Sequence, residues 1–232
     1  MSKTQLFCFS YAGGNASFFD VIEKDMPDFA FVKLEYAGHG TRHREAFYHD
    51  FEALSTDLFL HFKDMYQGGA YALFGYSMGT ITLVELLIKI IREPKIQNPC
   101  QVFLAAHEPH SKAELAEFSD EQLDEWVKEK TIQFGGVPDK LIGNQSFWRM
   151  YLPLYRADYS LIGKYKFEEL NLVSDVPATI FYSQTDTPRC EMELWKKFFV
   201  GECDYYVFEG NHFFIQEHHQ EIAQIMCAKL QS

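Results

Sequence analysis

Apolar residues fall along this chain in short, nearly continuous runs: LFCF (6–9), FAFVKL (29–34), AYALF (70–74), CQVFLAA (100–106), PATIFYS (177–183) and DYYVF (204–208). Runs of this length with little polar alternation predict strands covered on both faces, as in a parallel sheet. Between them the rhythm changes. Phe51, Leu54, Leu58, Phe62 and Met65 recur at steps of three and four, which lays one buried stripe along a helix. Ile222, Ile225, Met226 and Leu230 repeat that spacing near the end. Strands alternating with helices across short turns predict an α/β chain with a doubly wound, mostly parallel sheet.

One region departs from the alternation. From about 110 to 169 no run reads as a strand. Ser119 with Gln122 three residues on is a capping-box start for a helix through Lys130. FGGVP follows, then a stretch containing Trp148, then MYLPLYRADYSLIGKY. The segment is longer than a crossover requires. It predicts an inserted helical cap, or lid, over one end of the sheet, within a single domain spanning 1–232.

The candidate chemistry begins where AYALF runs into GYSMG and the apolar stretch TITLVELLIKII. Strand, sharp turn and helix are the context of a nucleophile elbow, with Ser77 at its apex. Side chains at Gly75 and Gly79 would collide with the neighbouring strand and helix, and the serine itself would sit in strained backbone. A serine hydroxyl is a weak nucleophile without a base, so a histidine oriented by a carboxylate must follow. Asp186 lies just after PATIFYS, and His212 just after DYYVF. Both therefore sit at carboxyl ends of strands, where open α/β sheets place their sites. The expected catalytic set is Ser77, Asp186 and His212, in the chain order of elbow hydrolases. The oxyanion would be held by the backbone N–H of Met78 and by one from the loop SYAGGNAS (10–17), with Ala12 the expected donor and Gly13 the alternative.

Composition narrows the class. The formal charge of −12 argues against nucleic acid and against anionic membranes. Apolar residues make up 47% of the chain, with 22 Phe and 13 Tyr, enough for a large core and a greasy cavity besides. The longest apolar segment, 81–91, carries Glu85 and Lys89 and falls short of the ~20 residues of a spanning helix. Five scattered cysteines without a C-x-x-C, and a start that lacks a secretory leader's pattern, predict reduced thiols and a cytoplasmic protein. No set of histidines has metal-ligand spacing, so no metal is expected. His39, His43, His218 and His219 are taken as surface or turn residues. Monomer is the default state.

Taken together, LFCFSYAGG, EYAGHGTR, FGYSMG, FGGVP, LPLYRADYSLIGKY and GNHFF resemble the type II thioesterases, the discrete editing enzymes of non-ribosomal peptide and polyketide assembly lines. The resemblance runs from the first strand to the last helix. It implies an α/β-hydrolase fold with a helical lid, and hydrolysis of acyl or aminoacyl groups from the phosphopantetheine thiol of acyl or peptidyl carrier proteins, which are then the partners. No cofactor of the enzyme's own is implied. The family's triad falls on Ser77, Asp186 and His212. Several positions depart from the family pattern: Tyr76 stands for His, Ser10 and Ala37 for Pro, and Ser183 and Asn211 for Gly. Tyr76 and Gly13, with the aromatic residues Phe134, Trp148, Tyr151 and Tyr155, are expected near the acyl pocket. Two other functions suit the same residues: a carboxylesterase or lipase acting on free esters, and a non-catalytic binding protein of hydrolase fold.

Overall fold

Each apolar run forms a strand, with bounds shifted by a residue or two. In the computed structural model, which describes residues 3–231, these are β1 (Gln5–Phe9), β2 (Ala30–Leu34), β3 (Tyr71–Tyr76), β4 (Gln101–Ala105), β5 (Ala178–Ser183) and β6 (Cys203–Phe208). They form one sheet in the order β2-β1-β3-β4-β5-β6, every pair parallel. The helices are α1 (Asp20–Glu23), α2 (Phe51–Met65), α3 (Met78–Ile91), α4 (Asp120–Gln133), α5 (Asp139–Ile142), α6 (Gln145–Lys164), α7 (Arg189–Met192) and α8 (Ile215–Gln231). Among the described residues no helix is long and apolar enough to cross a membrane.

The lack of polar alternation in the strands has a direct cause. Successive side chains alternate between two cores. Phe7, Phe9, Leu73 and Leu104 join Leu54, Leu58 and Leu87 of α2 and α3 on one face. Leu6, Cys8, Phe74 and Phe103 join Ile22 of α1 and Ile222 and Met226 of α8 on the other. Burying each such side chain stabilises the fold by about 1.5–3 kcal/mol. The edge strands differ: β2 and β6 are half-buried over most of their length, because each has a neighbour on one side only.

The strand order determines where a site can form. The chain steps from β1 out to β2, then returns across β1 to β3 and continues toward β6. Its winding direction reverses between β1 and β3, and the loops leaving those strands diverge to open a crevice. Because β1 and β3 pair directly, with Phe9 opposite Gly75, the loop after β1 and the turn after β3 face each other across it.

Between β4 and β5 lie three α-helices, α4 to α6, flanked by short 3-10 turns, and no strand. The capping box at Ser119 is formed in both directions, and α4 extends to Gln133, one turn beyond the predicted end. Arg156 of α6 grips Asp124 of α4 with two hydrogen bonds, at 2.8 and 2.6 Å. Replacing Ser119 by Ala removes an N-cap and should destabilise α4 by about 0.5–2 kcal/mol. Hydrogen exchange should then quicken in α4 amides, while the strands keep their protection.

Candidate active site

Strand β3 ends at Tyr76 and helix α3 begins at Met78, so a single residue must reverse the chain. Ser77 does this at φ 54° and ψ −121°, backbone that disfavours a side chain. Its N–H donates to the Ala105 carbonyl at 2.7 Å, and its carbonyl accepts from Thr80. The flanking glycines allow the helix to come this close. A Cβ on Gly75 would stand 2.3 Å from the Gly79 carbonyl oxygen, and one on Gly79 would stand 2.0 Å from that of Phe9. Both neighbours are backbone and cannot swing aside. Gly79→Ala should therefore destabilise by more than about 3 kcal/mol, as strained and overpacked core positions do; the urea midpoint is the readout.

Three loops from three strand ends meet at the serine. The Nε2 of His212 lies 3.0 Å from Ser77 Oγ, and its Nδ1 lies 2.8 Å from Asp186 Oδ2. Ser77 and His212 are each 8% exposed. A carboxylate can only accept, so Nδ1 carries the ring proton and Nε2 is left to accept from the serine hydroxyl. The Asp186 turn is closed by its own N–H on the Ser183 carbonyl at 3.1 Å. The β5 and β6 loops are pinned together, since the hydroxyls of Ser183 and Thr185 both donate to the Gly210 carbonyl at 2.5 Å. On the other side of the turn, Asn211 Oδ1 accepts from the Phe213 N–H at 2.8 Å. Ser183 and Asn211, two of the departures from the family pattern, thus carry hydrogen bonds that glycines there could not make.

The structure relocates several residues expected at the acyl pocket. Tyr76 is fully buried on the opposite core, and its hydroxyl donates to the His212 carbonyl at 2.7 Å; it supports the histidine from behind rather than forming pocket wall. Trp148 packs on Phe147 and donates its indole N–H to the Ile142 carbonyl at 2.8 Å, so it holds the helical segment together. Tyr151 also lies against Phe147, at 4.7 Å between ring centroids. Neither is among the residues that line the gap at Ser77 or the cavity beside it. Gly13 N–H is occupied, donating to Asp158 Oδ2 at 2.6 Å, which removes it as an oxyanion donor. His39 is no surface residue: it is 1% exposed and hydrogen-bonded to Asp158 at 2.9 Å. Its loop folds back under α6, which its position in a Gly-rich turn did not signal.

Phe134 falls where expected, stacked on the His212 ring with centroids 4.5 Å apart and 21° between planes. Tyr11, Ala12, Tyr155 and Tyr159 join it around Ser77. Tyr159, not foreseen, follows Tyr155 at the i+4 spacing that puts both on one face of α6. A cavity of about 380 Å³ opens from Ser77 and His212 toward Ala106, Trp126 and Ile162. Its far end is polar. Burial there would raise the Glu108 carboxyl, but His107 and Lys112 outweigh it and hold it at about 2, and Lys112 forms an ion pair with it.

Tyr76→Phe leaves the buried His212 carbonyl without its donor, which should lower stability by about 1–3 kcal/mol. Chemical denaturation measures this; the accompanying rate loss should appear in kcat more than in KM, since the binding surface is untouched.

A six-stranded parallel sheet in this order, with an elbow serine at its carboxyl edge, defines an α/β-hydrolase fold. The chain belongs to the thioesterase family: the family model described as Thioesterase domain matches residues 4–230. It is 29% identical over 222 residues to the medium-chain S-acyl fatty acid synthase thioesterase of Rattus norvegicus, covering 92% of this chain and 82% of the relative. With the gramicidin S biosynthesis protein GrsT of Aneurinibacillus migulanus it shares 25% identity over 236 residues, 99% of this chain and 90% of the other. Among solved structures, ClbQ from the colibactin NRPS/PKS pathway superposes with a TM-score of 0.87 at 26% identity, over 99% of this chain and 98% of that one. The resemblance to type II thioesterases of natural-product assembly lines is therefore borne out.

Proposed function

We propose that this protein is a serine thioesterase that clears acyl or aminoacyl groups from the phosphopantetheine arm of carrier proteins, and so restores stalled synthase modules. The observation that carries the reading is the imidazole of His212, set between Asp186 at 2.8 Å and Ser77 at 3.0 Å. Relatives named for gramicidin S biosynthesis and for the colibactin pathway support the assembly-line context.

In this reading Ser77 Oγ attacks the thioester carbonyl while Nε2 of His212 takes its proton. Asp186 holds the ring in the useful tautomer and stabilises the imidazolium that results. The new oxyanion is met by the N–H of Met78, the first residue of α3, where helix amides have no intrahelical acceptor, and by that of Ala12, which lines the same gap as Ser77 and His212. The C–S bond breaks and the thiolate leaves with the proton from Nε2. Water then attacks the acyl-enzyme, with His212 again as base, and releases the acid. A thioester carbonyl has little resonance with sulfur, and a thiolate leaves readily, so the chemistry asks for positioning more than for strong acid catalysis. No cofactor enters any step. The helices between β4 and β5 serve as the cap over this crevice, and the 380 Å³ cavity would receive the acyl end of the arm.

Ser77→Ala should lower kcat/KM by several orders of magnitude, and Asp186→Asn by about 10⁴-fold by misdirecting the imidazole tautomer, each with the fold retained by circular dichroism. Substrate class is tested by competing an acylated carrier protein against a nitrophenyl ester of the same acyl group. A clear kcat/KM preference for the carrier is expected, and a strong preference for the free ester would contradict the reading.

A further inference from the structure

We infer that Asp158 and His39 form a buried strap that positions the Ala12 oxyanion donor, and that the strap is complete only while the His39 ring carries both of its protons. The inference rests on the proposed role of Ala12. It joins two stretches, EYAGHGTR and LPLYRADYSLIGKY, whose residues take no part in the bond-making steps.

Asp158 sits on α6 and is 3% exposed. One of its oxygens, Oδ2, accepts from the Gly13 N–H at 2.6 Å and contacts His39 Nε2 at 2.9 Å. The other ring nitrogen of His39, Nδ1, lies 3.0 Å from the Ala37 carbonyl oxygen. A carbonyl and a carboxylate oxygen can only accept. A neutral imidazole has a single N–H and can satisfy one of them; the imidazolium satisfies both. The state in which the geometry is fully bonded is the cation.

The loop this strap holds is the one that presents Ala12. Its Ser10 carbonyl accepts from the Tyr36 hydroxyl at 2.9 Å, and its Tyr11 carbonyl accepts from the Gly14 N–H at 2.9 Å. Farther along the loop the Ala16 N–H donates to Glu35 Oε1 at 3.1 Å; at Gly13, the residue next to Ala12, the tether is Asp158. Gly13 has φ +77°, and a Cβ there would meet the Tyr155 ring at 2.2 Å, so α6 lies directly on the loop. Rotating the peptide after Ala12 would break the bond to Asp158 and tilt Ala12 relative to Ser77. An N–H aimed a few tenths of an ångström off an oxyanion loses much of its value, and a whole such donor is worth roughly 10²–10³ in kcat.

The charged and titratable groups facing His39 are Asp158 from α6 and Glu35 and Tyr36 from its own loop; Phe47 supplies an uncharged ring edge. Burial lowers the His39 pKa, but the Asp158 carboxylate, with smaller help from Ala37 and Glu35, outweighs it and raises it above the ordinary value. The sign follows. The folded-state value lies above the unfolded one, so the strap is intact below about pH 6.5 and weakens as the pH rises through the raised value. His212 must be neutral to act, so strap and base pull in opposite directions and the rate should fall at alkaline pH.

The test is the pH dependence of kcat and KM for an acyl-pantetheine thioester in wild type, Asp158→Asn and His39→Gln. Wild type should lose kcat above neutrality with KM changed less than about threefold. Asp158→Asn should lower kcat by about 10- to 100-fold, with its alkaline fall moved to lower pH because His39 has lost its anion. His39→Gln supplies an amide donor that cannot titrate, so its alkaline fall should flatten. A wild-type profile with no alkaline fall, a fall unchanged in His39→Gln, or Asp158→Asn within twofold of wild type would each overturn the strap. If Asp158→Asn fails to fold, the shape of the His39→Gln profile still decides. Loss of Ser77→Ala turnover alongside any of those results leaves the serine mechanism standing and removes the strap alone; Ser77→Ala that still turns over removes the mechanism on which Ala12's role depends.

Discussion

The site depends on how closely the first turn of α3 approaches the end of β1. Gly79 lies so near the Phe9 carbonyl that no side chain fits between them, and that approach lets Ser77 make its one-residue reversal in left-handed backbone. The strain in that turn is held by the surroundings: Ala105 accepts its N–H from β4, and α3 is buried along most of its length. Held in this way, the hydroxyl stands at the carboxyl edge beside the N-terminus of a helix, where developing negative charge is favoured.

Sheet order then brings the other groups to that hydroxyl. The loop after β1 comes from the strand next to β3, and the loops carrying Asp186 and His212 come from β5 and β6. Those loops are short and cross-braced through Gly210, and His212 is clamped from behind by Tyr76 and in front by Phe134. In the proposed mechanism, rigid placement of His212 matters more than great basicity, because the leaving thiolate needs little help. The helices between β4 and β5 contribute Phe134, Tyr155 and Tyr159 to the crevice, so the walls of the pocket and Ser77 belong to different parts of the fold.

What the sequence made legible follows from which forces act locally. Two-sided burial leaves apolar runs, so the strands and the sheet class could be read directly. The elbow imposes glycines at fixed spacing, and strand ends mark where an acid and a base would lie, so the three side chains the fold brings together, Ser77, Asp186 and His212, could be named as a set. Side-chain direction was not. Tyr76 occupies a position beside the nucleophile, yet its place in the strand turns it into the far core. Trp148 and Tyr151 lie on the pocket-bearing helix, but in its first two turns, Trp148 bonded to α5 and Tyr151 packed on Phe147. The Asp158–His39 contact joins positions far apart in the chain, and nothing in either neighbourhood signals the other; a histidine in a glycine turn reads as a surface residue until α6 is seen packed on the loop.

The most direct test of the central claim is covalent trapping with a fluorophosphonate, followed by peptide mapping. Stoichiometric modification of Ser77, lost when His212 is replaced by Ala, is the predicted result, since only an imidazole within reach makes that hydroxyl reactive. Folded protein that takes up no label, carries it on another residue, or labels equally fast without His212 would contradict the account.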